Sequence, residues 1–232
     1  MKRPIKLLIL ILISTSVYFI YQKTNNIHIK ILTLVDSSSL ENNSYCSNNT
    51  SYLNLYRDYL IAEKQDVTLL DEYSRKDLTI KELLKELKYN PTLKRELLES
   101  HTLFFNLGYN DLIEKLSLEE NINNKKFNEI MYSIKEDYNE TISEIRKYYK
   151  NDIIVIGYFP SLKEDYYLNK GIRILNSILE SNIEIEYIDT YNLINKNKNY
   201  YQENSNYCLN KYGNNLIGNK IINEILAKTE KI

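Results

Sequence analysis

Beyond residue 28 the chain alternates between short, continuous apolar runs and longer stretches of helical period. The runs at 28–35, 66–70, 102–107, 153–159 and 183–188 are rich in Ile, Leu, Val and Phe and are bounded by polar clusters, as buried strands are. Between them the apolar positions recur every three or four residues. Residues 51–64 place Leu53, Leu55, Tyr56, Tyr59 and Leu60 on one stripe. Helices are predicted there and at 79–87, 92–98 (with Pro91 at its start), 127–150, 169–180 and 216–227. Strands that alternate with helices predict a parallel sheet covered on both faces, a three-layer α/β/α sandwich with a five-stranded parallel sheet. The Asn- and Ser-rich stretches at 41–49 and 195–206 read as loops, and there is no internal repeat.

The first residues carry a different pattern. Met1-Lys2-Arg3-Pro4-Ile5-Lys6 is basic, and the stretch 7–21 that follows is uncharged and mostly Leu and Ile. A full membrane span takes about 17–25 residues. The stretch therefore fits two readings: the apolar core of a secretory signal, or an uncleaved anchor completed by Ile5, the stem of Lys6 and the interfacial Tyr18 and Tyr21. No Ala-x-Ala follows it, and no early Cys offers a lipidation site. Either way the basic end stays in the cytoplasm and the remainder is exported. The expected organisation is a membrane anchor or signal segment at 1–24 and one domain at 25–232, with the cell membrane as location and secretion as the alternative.

A chain of 232 residues is long enough for one α/β domain with a sizeable core. Its net charge of −1 gives no electrostatic case for nucleic acid. The 22 Tyr, the absence of Trp and the abundance of Asn, Lys and Ile read as the codon bias of an AT-rich genome rather than as a function. There is no metal-ligand cluster, no phosphate-cradling loop and no dinucleotide glycine pattern, so no cofactor is expected.

The chemistry sits at the ends of two apolar runs. The first run ends in Val35-Asp36-Ser37, the third in Gly108-Tyr109-Asn110-Asp111. In an open α/β sheet the strand C-termini face the ligand crevice, so these residues offer a nucleophile and oxyanion donors where chemistry belongs. Read singly, each is also an ordinary turn with a helix cap.

In order and spacing these motifs resemble the SGNH, or GDSL, hydrolases. The resemblance covers about residues 28–228 and implies the flavodoxin-like fold of that family and an esterase, lipase or deacetylase activity. It implies Ser37 as nucleophile and oxyanion donor, and Asn110 as a side-chain oxyanion donor. In the second block, Asp77-Leu78-Thr79-Ile80-Lys81-Glu82-Leu83 fits best. There Asp77 stands in place of the family's Gly, which puts a carboxylate beside the oxyanion position. The last block departs furthest. Its tail, Leu209-Asn210-Lys211-Tyr212-Gly213-Asn214, keeps the family's register, which puts Cys208 at the position of the histidine base and Ser205 at that of the orienting Asp. A serine nucleophile needs a base held by a third group, and a thiol does not replace imidazole in that role near neutral pH.

The chain's only histidines, His28 and His101, fall at the starts of their strands. A strand of six to eight residues is roughly 20 Å long at about 3.3 Å per residue, so neither reaches Ser37. Asp36 or Asp111 as a substitute base has no support in the pattern.

Cys46 and Cys208 both fall in loops of the C-terminal rim. In an exported domain they are expected either to pair across the crevice or to remain as two thiols. Two functions stay open: a tethered esterase or deacetylase acting on an envelope lipid or acylated glycan, and a non-catalytic member that keeps the crevice for binding or assembly at the membrane. Oligomeric state is not legible in the sequence.

Overall fold

Strand β1 (His28–Val35) shows why the sheet has two buried faces. Leu32 and Leu34 belong to one apolar cluster, and Ile31 and Val35 to another. Side chains alternate across a strand, so each face of β1 needs its own cover. The same alternation runs through β3 (Thr102–Asn106), where Leu103 and Phe105 oppose Phe104. In β4 (Ile153–Ile156), Ile153 and Val155 oppose Ile154 and Ile156. With β2 (Asp66–Leu70) and β5 (Ile185–Ile188) these make one five-stranded, all-parallel sheet in the order β2-β1-β3-β4-β5. The computed structural model describes residues 28–36, 51–63, 65–119, 121–195, 197–203, 205 and 207–229. The segment 1–24, Ser37 and Cys46 lie outside the described residues.

One face is covered by α2 (Ile80–Tyr89), α3 (Pro91–Glu99), α4 (Tyr109–Ser117), α5 (Asn124–Tyr148) and α6 (Tyr166–Glu180). The other is covered by α1 (Tyr52–Ala62) and α8 (Lys211–Thr229), with the short α7 (Tyr191–Ile194) beside them. The caps explain where several helices begin. Ser51 accepts from the Leu53 N–H, and Thr79 and Glu82 form a reciprocal capping box. Asn90 caps α3 ahead of Pro91, while Asn123 and Asp165 cap α5 and α6. The layered α/β/α architecture and the parallel sheet are as the periodicity predicts.

The differences are local. Helix α4 was not predicted, because Gly108-x-Asn110-Asp111 reads as a turn. Strand β4 stops at Ile156 rather than at Phe159, because the Tyr158 N–H and C=O are both bonded to the Asn176 side-chain amide, at 2.8 and 2.7 Å, which draws the backbone out of the ladder. Ile183, expected to open β5, is 99% exposed and lies outside the strand. No described helix is long and apolar enough to cross a membrane.

Candidate functional site at the C-terminal rim of the sheet

The strand order reverses between β1 and β3, the point at which open α/β sheets place their ligand crevice. Beyond Leu32, which pairs with Leu70, β1 has run past the end of β2. Ser74 takes over that edge: the Val35 N–H donates to Ser74 Oγ at 3.1 Å, and the Ser74 hydroxyl donates to Thr33 O at 2.8 Å. On the other side the Asp36 N–H donates to Asn106 O at 3.2 Å. Asp36 is fully buried, and Ser37 is the next residue in the chain.

After β3 the chain turns into α4 through Gly108, whose φ of +123° is one that side-chain-bearing residues rarely adopt. The first turn of α4 then grips the loop that follows β2. Asn110 Nδ2 donates to Lys76 O at 2.9 Å and to Leu78 O at 3.0 Å, so both amide hydrogens, which the family pattern assigns in part to an oxyanion, are engaged by backbone carbonyls. Asp111 Oδ2 accepts from the Ile80 N–H at 3.0 Å, satisfying a donor at the start of α2. Burial raises the Asp111 pKa above the ordinary carboxylate range, against the hydrogen bonds that lower it. The Asp77 side chain is turned outward, 85% exposed and 3.6 Å from Arg75 Nε.

The loop before α8 is built as tightly. Tyr201 and Leu209 form an antiparallel bridge, and the Gln202 N–H donates to Cys208 O at 2.9 Å. Asn210 accepts from the Tyr212 and Gly213 N–H groups at 2.9 and 3.1 Å and so caps α8, while its Nδ2 ties back to Asn199 O and Tyr201 O. A Cβ on Gly213 would lie 2.6 Å from Tyr200 O, so the backbones approach as closely as glycine allows. Ser205 Oγ accepts from the Tyr207 N–H at 3.1 Å and the Cys208 N–H at 2.9 Å, organising the turn. Cys208 is 3% exposed and disulfide-bonded, and the chain's only other cysteine is Cys46.

Tyr109 joins these loops. Its ring stacks on that of Tyr158 with centroids 5.8 Å apart and planes at 25°. Burial pushes its phenol well up, and Tyr207, Asp36, Tyr201 and Asp165, from three other loops, act on it in the same direction. Sequence reasoning missed these tyrosines: their signal was hidden in a composition bias spread over the whole chain.

The histidines are on the opposite edge. His28 opens β1 and bonds Asp66 at 2.9 Å, and His101 Nδ1 accepts from the Lys30 N–H at 3.1 Å. No described group of His, Cys, Asp and Glu is arranged to hold a metal ion. The rim therefore gathers Asp36, Asn110, Asp111, Ser205 and Cys208 from distant parts of the sequence, with no imidazole among them.

No family model matches the chain, and no curated protein matches it. Solved structures do. The lipase Lip_vut3 from a goat rumen metagenome is similar with a TM-score of 0.70 at 15% identity, over 83% of this chain and 95% of that one. The lipase/acylhydrolase from Enterococcus faecalis gives 0.58 at 18% identity, over 86% and 96% of the two chains. The acetylxylan esterase Axe2 from Geobacillus stearothermophilus gives 0.61 at 14% identity, over 85% and 94%. The chain has the SGNH hydrolase fold. Within this SGNH fold, the last block carries a disulfide sulfur at Cys208 and, at Ser205, a hydroxyl that serves the backbone.

Proposed function

We propose that this SGNH-fold protein acts outside the cytoplasm, held at the membrane by residues 1–24, and that its crevice binds its ligand with ester hydrolysis lost or strongly reduced. The observation that carries this reading is the disulfide at Cys208. A sulfur in a disulfide neither accepts a proton from serine nor returns it to a leaving group. Removing a base and its orienter costs roughly 10⁴–10⁶-fold in rate where it has been measured in serine hydrolases. An oxidised cysteine also suits an exported domain. The ligand class proposed, from the family resemblance, is an envelope lipid or an acylated glycan. The alternative reading is an esterase that has kept its activity, with Ser37 as nucleophile, and the position of Ser37 directly after Asp36 is what favours it.

Short p-nitrophenyl esters offered to the purified full-length chain separate the two. The expected rate equals that of Ser37→Ala. Turnover that Ser37→Ala abolishes would overturn the non-catalytic reading. Cys208→His with Ser205→Asp, made together with Cys46→Ser to leave no lone thiol, is expected to raise Ser37-dependent turnover above that background.

A further inference from the structure

The chain enters the domain at the end of the sheet opposite the rim. His28 opens β1 there, level with Asp66, the first residue of β2. The same end carries exposed aliphatic side chains. Ile61, in the last turn of α1 and five residues before β2, is 50% exposed. Leu98, in the last turn of α3 and four residues before β3, is 66% exposed, and Ile183, two residues before β5, is 99% exposed. Backbone bonds tie these turns to that end: the Gln65 N–H donates to Leu60 O at 3.0 Å, and the His101 N–H to Lys30 O of β1 at 2.9 Å. Among the described residues one other aliphatic side chain is half exposed or more, Leu118. It lies toward the opposite end, beside Glu119, which pairs at 3.1 Å with Lys126 in the first turn of α5. A single exposed leucine is ordinary on a protein surface, but three of the four such side chains share this one edge.

From residue 24, the end of the proposed anchor, to His28 is four Cα steps, which reach at most about 14 Å. Even from Tyr21, where the uncharged stretch ends, seven fully extended steps reach about 25 Å. Strand β1 alone, at eight residues, is about 26 Å long. A domain turned with its C-terminal rim toward the bilayer would hold His28 farther from the surface than this tether allows. We propose that the strand-start edge rests on the bilayer that residues 1–24 enter, with Ile61, Leu98 and Ile183 set at the boundary of headgroups and acyl chains and the rim facing away. The tether keeps the edge at high local concentration beside the surface, so a few aliphatic contacts suffice. The charge of the edge is mixed, with Glu63, Glu99 and Glu184 near Lys147, Lys150 and Lys228, so apolar insertion rather than attraction to anionic lipid carries the contact. A ligand then reaches the rim from the aqueous side. This rests on the anchor reading above and adds an orientation to it.

The chain has no Trp, so single tryptophans report on each position. Full-length Ile61→Trp, Leu98→Trp, Ile183→Trp and Leu118→Trp are each reconstituted into phosphatidylcholine vesicles with and without brominated acyl chains. The three edge reporters are expected to shift their emission to the blue and to lose it to the brominated lipid, equally with and without added phosphatidylglycerol. Leu118→Trp should emit as in water and keep its emission. Leu98→Asp with Ile183→Asp, at exposed positions that bear a charge at little cost to the fold, should abolish the quenching of Ile61→Trp. Edge reporters that emit as in water, a Leu118→Trp quenched as strongly as they are, or quenching confined to vesicles with phosphatidylglycerol would overturn the inference. So would a blue shift without quenching, which would put a second copy of the chain on the edge. Flotation of the same samples separates the two readings. A chain that stays behind when the vesicles float loses the anchor and this orientation with it, whereas a chain that floats with unquenched edge reporters loses the orientation alone.

Discussion

Asp111 carries a consequence that is visible only at the scale of one residue. The carboxylate is 3% exposed and bonded to the Ile80 N–H, so the fold uses it to hold the start of α2 rather than presenting it to a substrate. Burial raises its folded-state pKa, with Lys115 pulling the other way and Asp137 adding to the rise. The native state then keeps the proton to a higher pH than the unfolded chain. The group's contribution to stability is complete below the ordinary Asp pKa of about 3.9 and is lost as pH rises through the folded value. Asn keeps an acceptor for Ile80 and removes the titration. The stability of Asp111→Asn relative to wild type is therefore expected to climb with pH from about 4 upward, in urea melts at a series of pH values. A difference that stays flat across that range would sink the assignment. The sequence showed Asn110 and Asp111 as a pair but not their use, because their partners are the Lys76 and Leu78 carbonyls and the Ile80 N–H, backbone groups that no side-chain pattern advertises.

At the scale of elements, periodicity located the strands and the long helices, because each buries a face whose apolar spacing is its own signature. It missed α4, although Leu112, Ile113 and Leu116 carry helical spacing, because the helix is short and its start is a glycine with no side-chain cap. The strand ends were set by single side chains, Ser74 and Asn176, that the apolar pattern does not encode. The far edge of the sheet has a comparable clamp. Lys30 of β1 reaches Glu96 and Glu99 of α3 at 2.8 and 2.7 Å, and Glu96 is 8% exposed. The hydrogen bond from Lys30 holds the Glu96 carboxyl below its usual range. An acid with a depressed folded pKa adds stability above its unfolded value, near 4.3, and loses it as pH falls through the folded one. Lys30→Ala is expected to cost roughly 1 kcal/mol at neutral pH, because it leaves the Glu96 carboxylate with Arg95 alone, 3.3 Å away. The penalty should shrink below about pH 4, as Glu96 protonates. Thermal melts of both proteins across that range check it, and a penalty that does not change with pH would count against the clamp.

The whole molecule turns sequence distance into proximity. With every strand parallel, the loops after β1, β3, β4 and β5 emerge on one rim, which is how Asp36, Tyr109, Tyr158 and Tyr207 come to the same end of the sheet. In a working hydrolase of this fold, the loop after β1 and the loop before the last helix are joined by a proton relay between serine and histidine. Here Cys208, which the sequence pattern aligns with that histidine, is in a disulfide, and Cys46, the only other cysteine, follows Ser37 in the sequence. A covalent tie and a proton relay make different demands. The tie stabilises by limiting the unfolded chain, and more so for a long loop; residues 46 and 208 enclose about 160 residues, for which the chain-entropy argument gives up to about 5 kcal/mol, and 2–4 is typical. In a protein of this length that corresponds to a fall in Tm on the order of 10 °C. Reduction, or Cys208→Ser with Cys46→Ser, should therefore lower the Tm by that amount without conferring ester hydrolysis, since the freed thiol still has no imidazole beside it. Melting curves run with and without reductant, with thiol counts on the same samples and an ester assay alongside, read all three quantities. An unchanged Tm with both thiols free would remove the stabilising role of the bond. Ester turnover appearing on reduction would mean that the disulfide hides a catalytic site rather than replacing one.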